Sequence, residues 1–247
     1  MHRIVILIVG LCLFGVVGCA GKSPKKQFQR LAGEFVSPVH ITKPVDQQSA
    51  VLGITIKSPA WVPNTEDRLY LVKVENERDL FEGSKLIPTS ILAPPPGAGG
   101  GGTVYVQNVP PGRYAAVAFS TSEKGFGKVR GVTLFLLPKT VVKQSDTTVV
   151  SGSISFMGEY EVGTSTMVLQ EKAADPVQEH YFEAFWGKPL AQVIADLQMI
   201  GTPAYFAVHT VSVKQGSRDA AAEERFLTAA KRDLEPAWAQ VIERRRT

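Results

Sequence analysis

The sequence predicts a β-rich α+β protein: an antiparallel β-sandwich over residues 49–172, followed by a mostly helical segment over 173–247. Two changes of periodicity carry that reading. Between Ser49 and Leu169, short apolar stretches alternate with period two and are separated by Pro, Gly, Asn and Asp clusters. That is the spacing of antiparallel strands joined by tight turns. After Ala173 the apolar residues recur at intervals of three and four, as on one face of a helix. A third observation sets the start of the chain apart. An apolar run, Ile4 to Val17, follows Met1-His2-Arg3 and ends among small residues.

That first run offers about 14 apolar residues, short of the roughly 20 a spanning helix needs. It is apolar all round, whereas a core helix would carry one buried stripe. A basic start, an apolar centre and a small-residue end are the parts of a secretory signal. Val16-Val17-Gly18-Cys19 closes the run on a cysteine and resembles the lipobox of bacterial lipoproteins. The resemblance implies a signal peptide over 1–18 and acylation of Cys19, with palmitate among the chains, as the first residue of a membrane-anchored protein of the cell envelope. Ala20, where an Asp would retain such a protein in the inner membrane, implies the outer membrane facing the periplasm in a Gram-negative host. Each buried CH₂ of the acyl chains contributes about 0.8 kcal/mol, so more than one chain anchors firmly. Residues 19–48 then read as lipid anchor and tether. Lys22, Lys25, Lys26 and Arg30 alternate there with Pro24, Pro38 and Pro44, with little apolar periodicity.

The strands follow in order. Leu52, Ile54 and Ile56 alternate in Val51–Lys57, and Tyr70, Val72 and Val74 form the fully apolar face of the next stretch. Further strands are expected at 89–92, 103–106, 113–119, 131–137, 147–156 and 160–169. Gly97, Gly99 and Gly102 spell G-x-G-x-x-G, but a polyproline stretch precedes them and a strand follows. A dinucleotide fingerprint needs a strand before and a helix after, so this is read as a loop. Val109-Pro110-Pro111-Gly112-Arg113-Tyr114 places a Pro-Pro-Gly turn before a strand that opens with Tyr. It resembles the corner of transthyretin-like and carboxypeptidase regulatory-like sandwich domains. The resemblance implies that Tyr114 packs at the sandwich edge with its hydroxyl on a backbone group, and that the domain acts as a binding or spacing module.

In the C-terminal segment Asp175-Pro176 reads as N-cap and first helical residue, with Val177, Tyr181, Phe182 and Phe185 on the buried side. A second helix is expected over Leu190–Met199 and a strand over Ala204–Val213. Ser217 is expected to cap a third helix, and Pro236-Ala237-Trp238 to open a last one.

The chain carries a net charge of +4, which falls by one when Arg3 leaves with the signal. That is too little for a nucleic-acid surface. Its two cysteines are Cys12, inside the signal, and Cys19, the acylation site, so no disulfide or thiolate zinc site is expected. Phe126, Lys128 and Arg130, an aromatic between two cations in a hairpin loop, are the candidate ligand contacts. The loops Pro94–Gly102 and Ser122–Arg130 and the Trp186 and Trp238 regions are the candidate surfaces. His180 and Glu183 lie one helical turn apart, a spacing that could seat two metal ligands, while Glu159 and Glu161 share one strand face. No nucleophile elbow accompanies either pair. The sequence therefore points to a non-catalytic, lipid-anchored binding or scaffold protein with an envelope protein partner, no cofactor and no metal. The competing reading is a hydrolase or metal-dependent enzyme using His180 and Glu183.

Overall fold

The computed structural model describes residues 50–58, 63, 67–83, 86–91, 102–125, 128–163, 166–167, 175–189, 192, 206–234, 238 and 241–243. The signal, Cys19, the tether, the glycine-rich run before Gly102, and Phe126 lie outside them. So does the helix expected over 190–199, apart from Gln192.

The chain is β-rich α+β, with eleven described strands in two sheets. The first sheet joins β1 (Ala50–Lys57), β4 (Thr103–Val109), β8 (Ile154–Val162) and β11 (Val213–Ser217) in the order β11-β8-β1-β4. The second runs β3 (Ile87–Ser90), β2 (Arg68–Lys73), β5 (Gly112–Gly125), β6 (Lys128–Leu136), β10 (Phe206–Thr210), β9 (Thr166–Met167), with β7 (Thr147–Val149) paired to the start of β5. Neither sheet is wholly antiparallel, contrary to the expectation. β1 pairs in parallel with β8, and β6 in parallel with β10. Both are pairings of strands far apart in sequence, so the connection is a crossover and not a hairpin.

One apolar cluster takes side chains from both sheets: Leu52, Ile54 and Ile56 of β1, Val104 and Val106 of β4, Leu69 and Leu71 of β2, and Phe119 and Leu134 of β5 and β6. The even-numbered residues of β1 belong to this core. Val51, on the other face, lies in a second cluster with Tyr105, Ile154, Phe156 and the helix α4 (Ala220–Asp233). Phe226 of that helix occupies the space a side chain at Gly53 would fill.

The other helices are α1 (Asp79–Glu82), α2 (Lys139–Ser145) and α3 (Pro176–Trp186). α3 begins as read: Asp175 Oδ1 accepts the Val177 N–H at 2.9 Å, and Gly187 closes the helix in the left-handed conformation. In α4, however, the cap is Asp219, whose Oδ1 accepts from Ala222 N at 2.8 Å. Ser217 ends β11 instead.

Other expectations change. The strand expected over 147–156 divides. β7 lies in one sheet and β8 in the other, with a turn at Ser151 and Gly152 between them. β8 then runs unbroken through what was read as a strand start at Tyr160. Gly158 (φ 123°) forms a bulge opposite β1 that shifts the side-chain phase, so Ile154 and Phe156 precede it on the α4 face and Glu159 follows it there. The residues after 173 contribute strands to both sheets, through β10 and β11. Trp238 and Ile242, read as packing back from the last helix, do so and are buried in the α4 cluster, which leaves the Trp238 ring, 1% exposed, no part in a surface.

Candidate functional site

The Pro-Pro-Gly corner connects the sheets. β4 belongs to the first sheet and β5 to the second, and Pro110 and Pro111 carry the chain across. Tyr114 is buried there, and its hydroxyl donates to the Pro110 carbonyl at 3.0 Å, as the sequence led us to expect. Burial raises the pKa of this hydroxyl, so it remains a donor.

The corner sets Arg113 beside the end of α2. Its Nε donates to both carboxylate oxygens of Asp146 at 2.8 and 3.0 Å, and its Nη2 also reaches Asp146. On the other side of Asp146 stands Arg218, between β11 and the cap of α4. Its Nη1 donates to the Gln144 and Asp146 carbonyls, both at 2.8 Å, and its Nη2 to the Phe156 carbonyl at 3.0 Å. Carbonyls left over at the end of a short helix are thereby satisfied by a cation that also suits the helix dipole. Between these groups is a cleft of about 210 Å³ lined by Asp146, Thr147, Thr148, Ser155, Phe156, Arg218 and Glu223. Ser155 is buried, its hydroxyl directed at the Thr148 carbonyl at 3.4 Å, while Thr148 is exposed. Asp219, at the head of α4, has its carboxyl held below the usual range by the Ala222 N–H and by Ser217.

The residues singled out from sequence lie elsewhere. Lys128 and Arg130 belong to strand β6, not to a loop: β5 continues to Gly125, and Lys128 pairs with it. That hairpin end lies at the far end of β5 from Arg113. His180 is half-buried on α3, with Nε2 3.3 Å from the Gly83 carbonyl and its ring edge-on to Tyr181. Glu183 is half-buried one turn on. Among the described residues no three His, Cys, Asp or Glu side chains converge as a metal site would require. Glu159 and Glu161 do share a face, but each faces cations. Glu159 bonds Lys57 at 2.7 Å and Arg225 at 3.1 Å, and Glu161 lies 3.9 Å from Lys214. Partial burial opposes ionisation of Glu159, yet the bonds from Lys57 and Arg225 outweigh it and hold the carboxyl below its usual range. His209 stacks on Phe135, with centroids 5.5 Å apart.

Comparison with protein-family models, curated proteins and solved structures finds no match to the chain. Among the described residues no helix is long and apolar enough to cross a membrane. Sequence reasoning did not find the cleft, because its residues come from four separated segments and no local spacing links Asp146 or Ser155 to Arg218. The one available signal was an Arg directly before an Asp N-cap, Arg218-Asp219, which the choice of Ser217 as cap obscured.

Proposed function

We propose that this chain is a lipid-anchored cell-envelope protein, held to the membrane through acylated Cys19, that works as a non-catalytic binding or scaffold module. The observation that carries the reading is Val16-Val17-Gly18-Cys19 at the end of a basic-then-apolar leader. In this reading the two sheets and their shared core form a β-sandwich, and the segment from 173 is its mostly helical C-terminal part. The tether over residues 19–48 gives the folded part reach from the outer-membrane surface, on the periplasmic side in a Gram-negative host. Two features of the folded part support a binding role. The corner at Pro110–Tyr114 has the hydrogen bond expected of transthyretin-like modules. A polar cleft sits between elements cross-linked by Arg113–Asp146 and Arg218, so its walls are fixed before any ligand arrives. His180, the residue on which an enzymatic role would rest, instead meets the backbone of Gly83.

The test is co-purification from gently solubilised membranes, comparing wild type with Cys19→Ala. The proposal expects wild type in the membrane fraction with a specific envelope protein partner, and the variant released without it. Equal partitioning of the two proteins would refute the anchor, and an anchored protein recovered alone would refute the protein-partner part.

A further inference from the structure

We infer that the cleft at the head of α4 binds a neutral polyhydroxylated ligand, one saccharide ring, either free or within a glycan chain. The inference rests on the binding-module reading and names the ligand class of that site. Its first support is charge. Asp146 and Glu223 line the cleft with Arg218, and Arg113 stands behind Asp146, paired to it. The Arg113–Asp146 pair is neutral in itself, Arg218 stands against Glu223, and the Asp219 carboxylate beside Arg218 is taken up by the N-terminus of α4, so neither an anion nor a cation gains a strong field to enter. The second support is the kind of surface. Phe156, the aromatic residue in the lining, is 5% exposed, with its ring stacked on Phe226 beneath α4. The ligand therefore meets hydroxyls, carboxylates and guanidinium N–H groups and little apolar area. Donors and acceptors interleave in such a lining, and a sugar hydroxyl both gives and accepts a hydrogen bond.

The third support is capacity not used by the fold. Arg218 has five N–H donors, of which three are directed at carbonyls, leaving Nε–H and one Nη2–H without a partner among the described residues. No described residue takes the Thr148 hydroxyl, which is exposed at the cleft wall. The Asp146 oxygens each retain acceptor capacity beyond the bonds from Arg113. The fourth is size. About 210 Å³ lies below the roughly 300–1,000 Å³ of sites that enclose a drug-sized molecule, and suits one ring.

The experiment uses the full chain in a detergent without sugar head groups. Saturation-transfer NMR is recorded with glucose, galactose, N-acetylglucosamine and their disaccharides, and with sulfate and glutamate as ionic competitors. A parallel arm measures co-sedimentation with insoluble cellulose and chitin. The first arm reports a free ring and the second a ring within a polymer. The inference expects saturable binding in at least one arm. Thr148→Val should weaken it about fivefold, the effect of one lost hydrogen bond, and Thr148→Ser should bind as wild type. Failure of both arms, binding unchanged in Thr148→Val, or displacement of sugar by sulfate or glutamate would each overturn it. The two readings fail separately. A protein that holds its membrane partner but no sugar loses only this inference. One that binds sugar without an acylated Cys19 loses the anchor and keeps the cleft.

Discussion

Gly53 offers the sharpest test of how α4 is seated. It lies on the outer face of β1, opposite Phe156 of β8, where a Cβ would overlap Cε2 and Cζ of the Phe226 ring. That ring has nowhere to go. It is 2% exposed, stacked on Phe156 with centroids 4.8 Å apart, and tilted against Tyr105 at 5.8 Å. Gly53→Ala therefore forces the helix outward, and overpacking of this kind costs about 1–3 kcal/mol. Phe226→Ala removes the ring and costs about 3–5 kcal/mol, for lost burial and the cavity left behind. The two changes compensate in part, because without the ring the added methyl enters an empty space. The double variant should then be more stable than the two single effects combined, by about 1–3 kcal/mol. Urea unfolding of the full chain, followed by far-ultraviolet circular dichroism, reads these differences. Gly53→Ala with wild-type stability would refute the reasoning. So would single effects that add to within about 0.3–0.5 kcal/mol.

Three further outcomes are expected. Ser145 is fully buried, and its hydroxyl accepts the Ala116 N–H at 2.9 Å where β5 passes from pairing with β7 to pairing with β6. Ser145→Ala leaves that N–H unsatisfied and should destabilise by about 1–3 kcal/mol in urea unfolding; no loss would mean the strand finds another acceptor. Tyr114→Phe removes only the bond to the Pro110 carbonyl and should cost about 0.5–1.5 kcal/mol with the fold retained, as read by thermal unfolding. Glu159 titrates below its unfolded value of about 4.3, so its contribution is present above that pH and lost as pH falls through the folded value. Glu159→Gln should therefore lower stability at pH 7 and flatten the acid limb of the stability profile below about pH 4.3. Identical acid limbs would contradict this.

The strands were legible where alternation and turn chemistry agreed, as at Leu52–Ile56, and the Tyr114 corner was legible to the level of its hydrogen bond. The α3 boundaries were written in Asp175-Pro176 and Gly187. Strand pairing was not legible. Alternation marks which face of β1 is buried, but nothing local says that Val51 and Ile154 become parallel neighbours. The run 147–156 misled because both of its halves alternate, and the exposed Val150 between them has the residue type of a strand. Gly158 carries no local sign that distinguishes a bulge from a turn, so β8 was divided in the wrong place. One-turn α1 and seven-residue α2 are too short to show a helical period. The cleft was illegible for the same reason as the pairing. Asp146, Thr148, Ser155, Arg218 and Glu223 meet only after both sheets and α4 have assembled.

The central claim is the anchor, and the mass of the mature N-terminus tests it most directly. The chain is isolated from its native membrane, digested, and the N-terminal peptide identified by mass spectrometry. The account expects a peptide that begins at Cys19 and carries the added mass of acyl chains, and a Cys19→Ala protein that lacks them. A peptide that retains residues before Cys19, or begins there with an unmodified thiol, would contradict it.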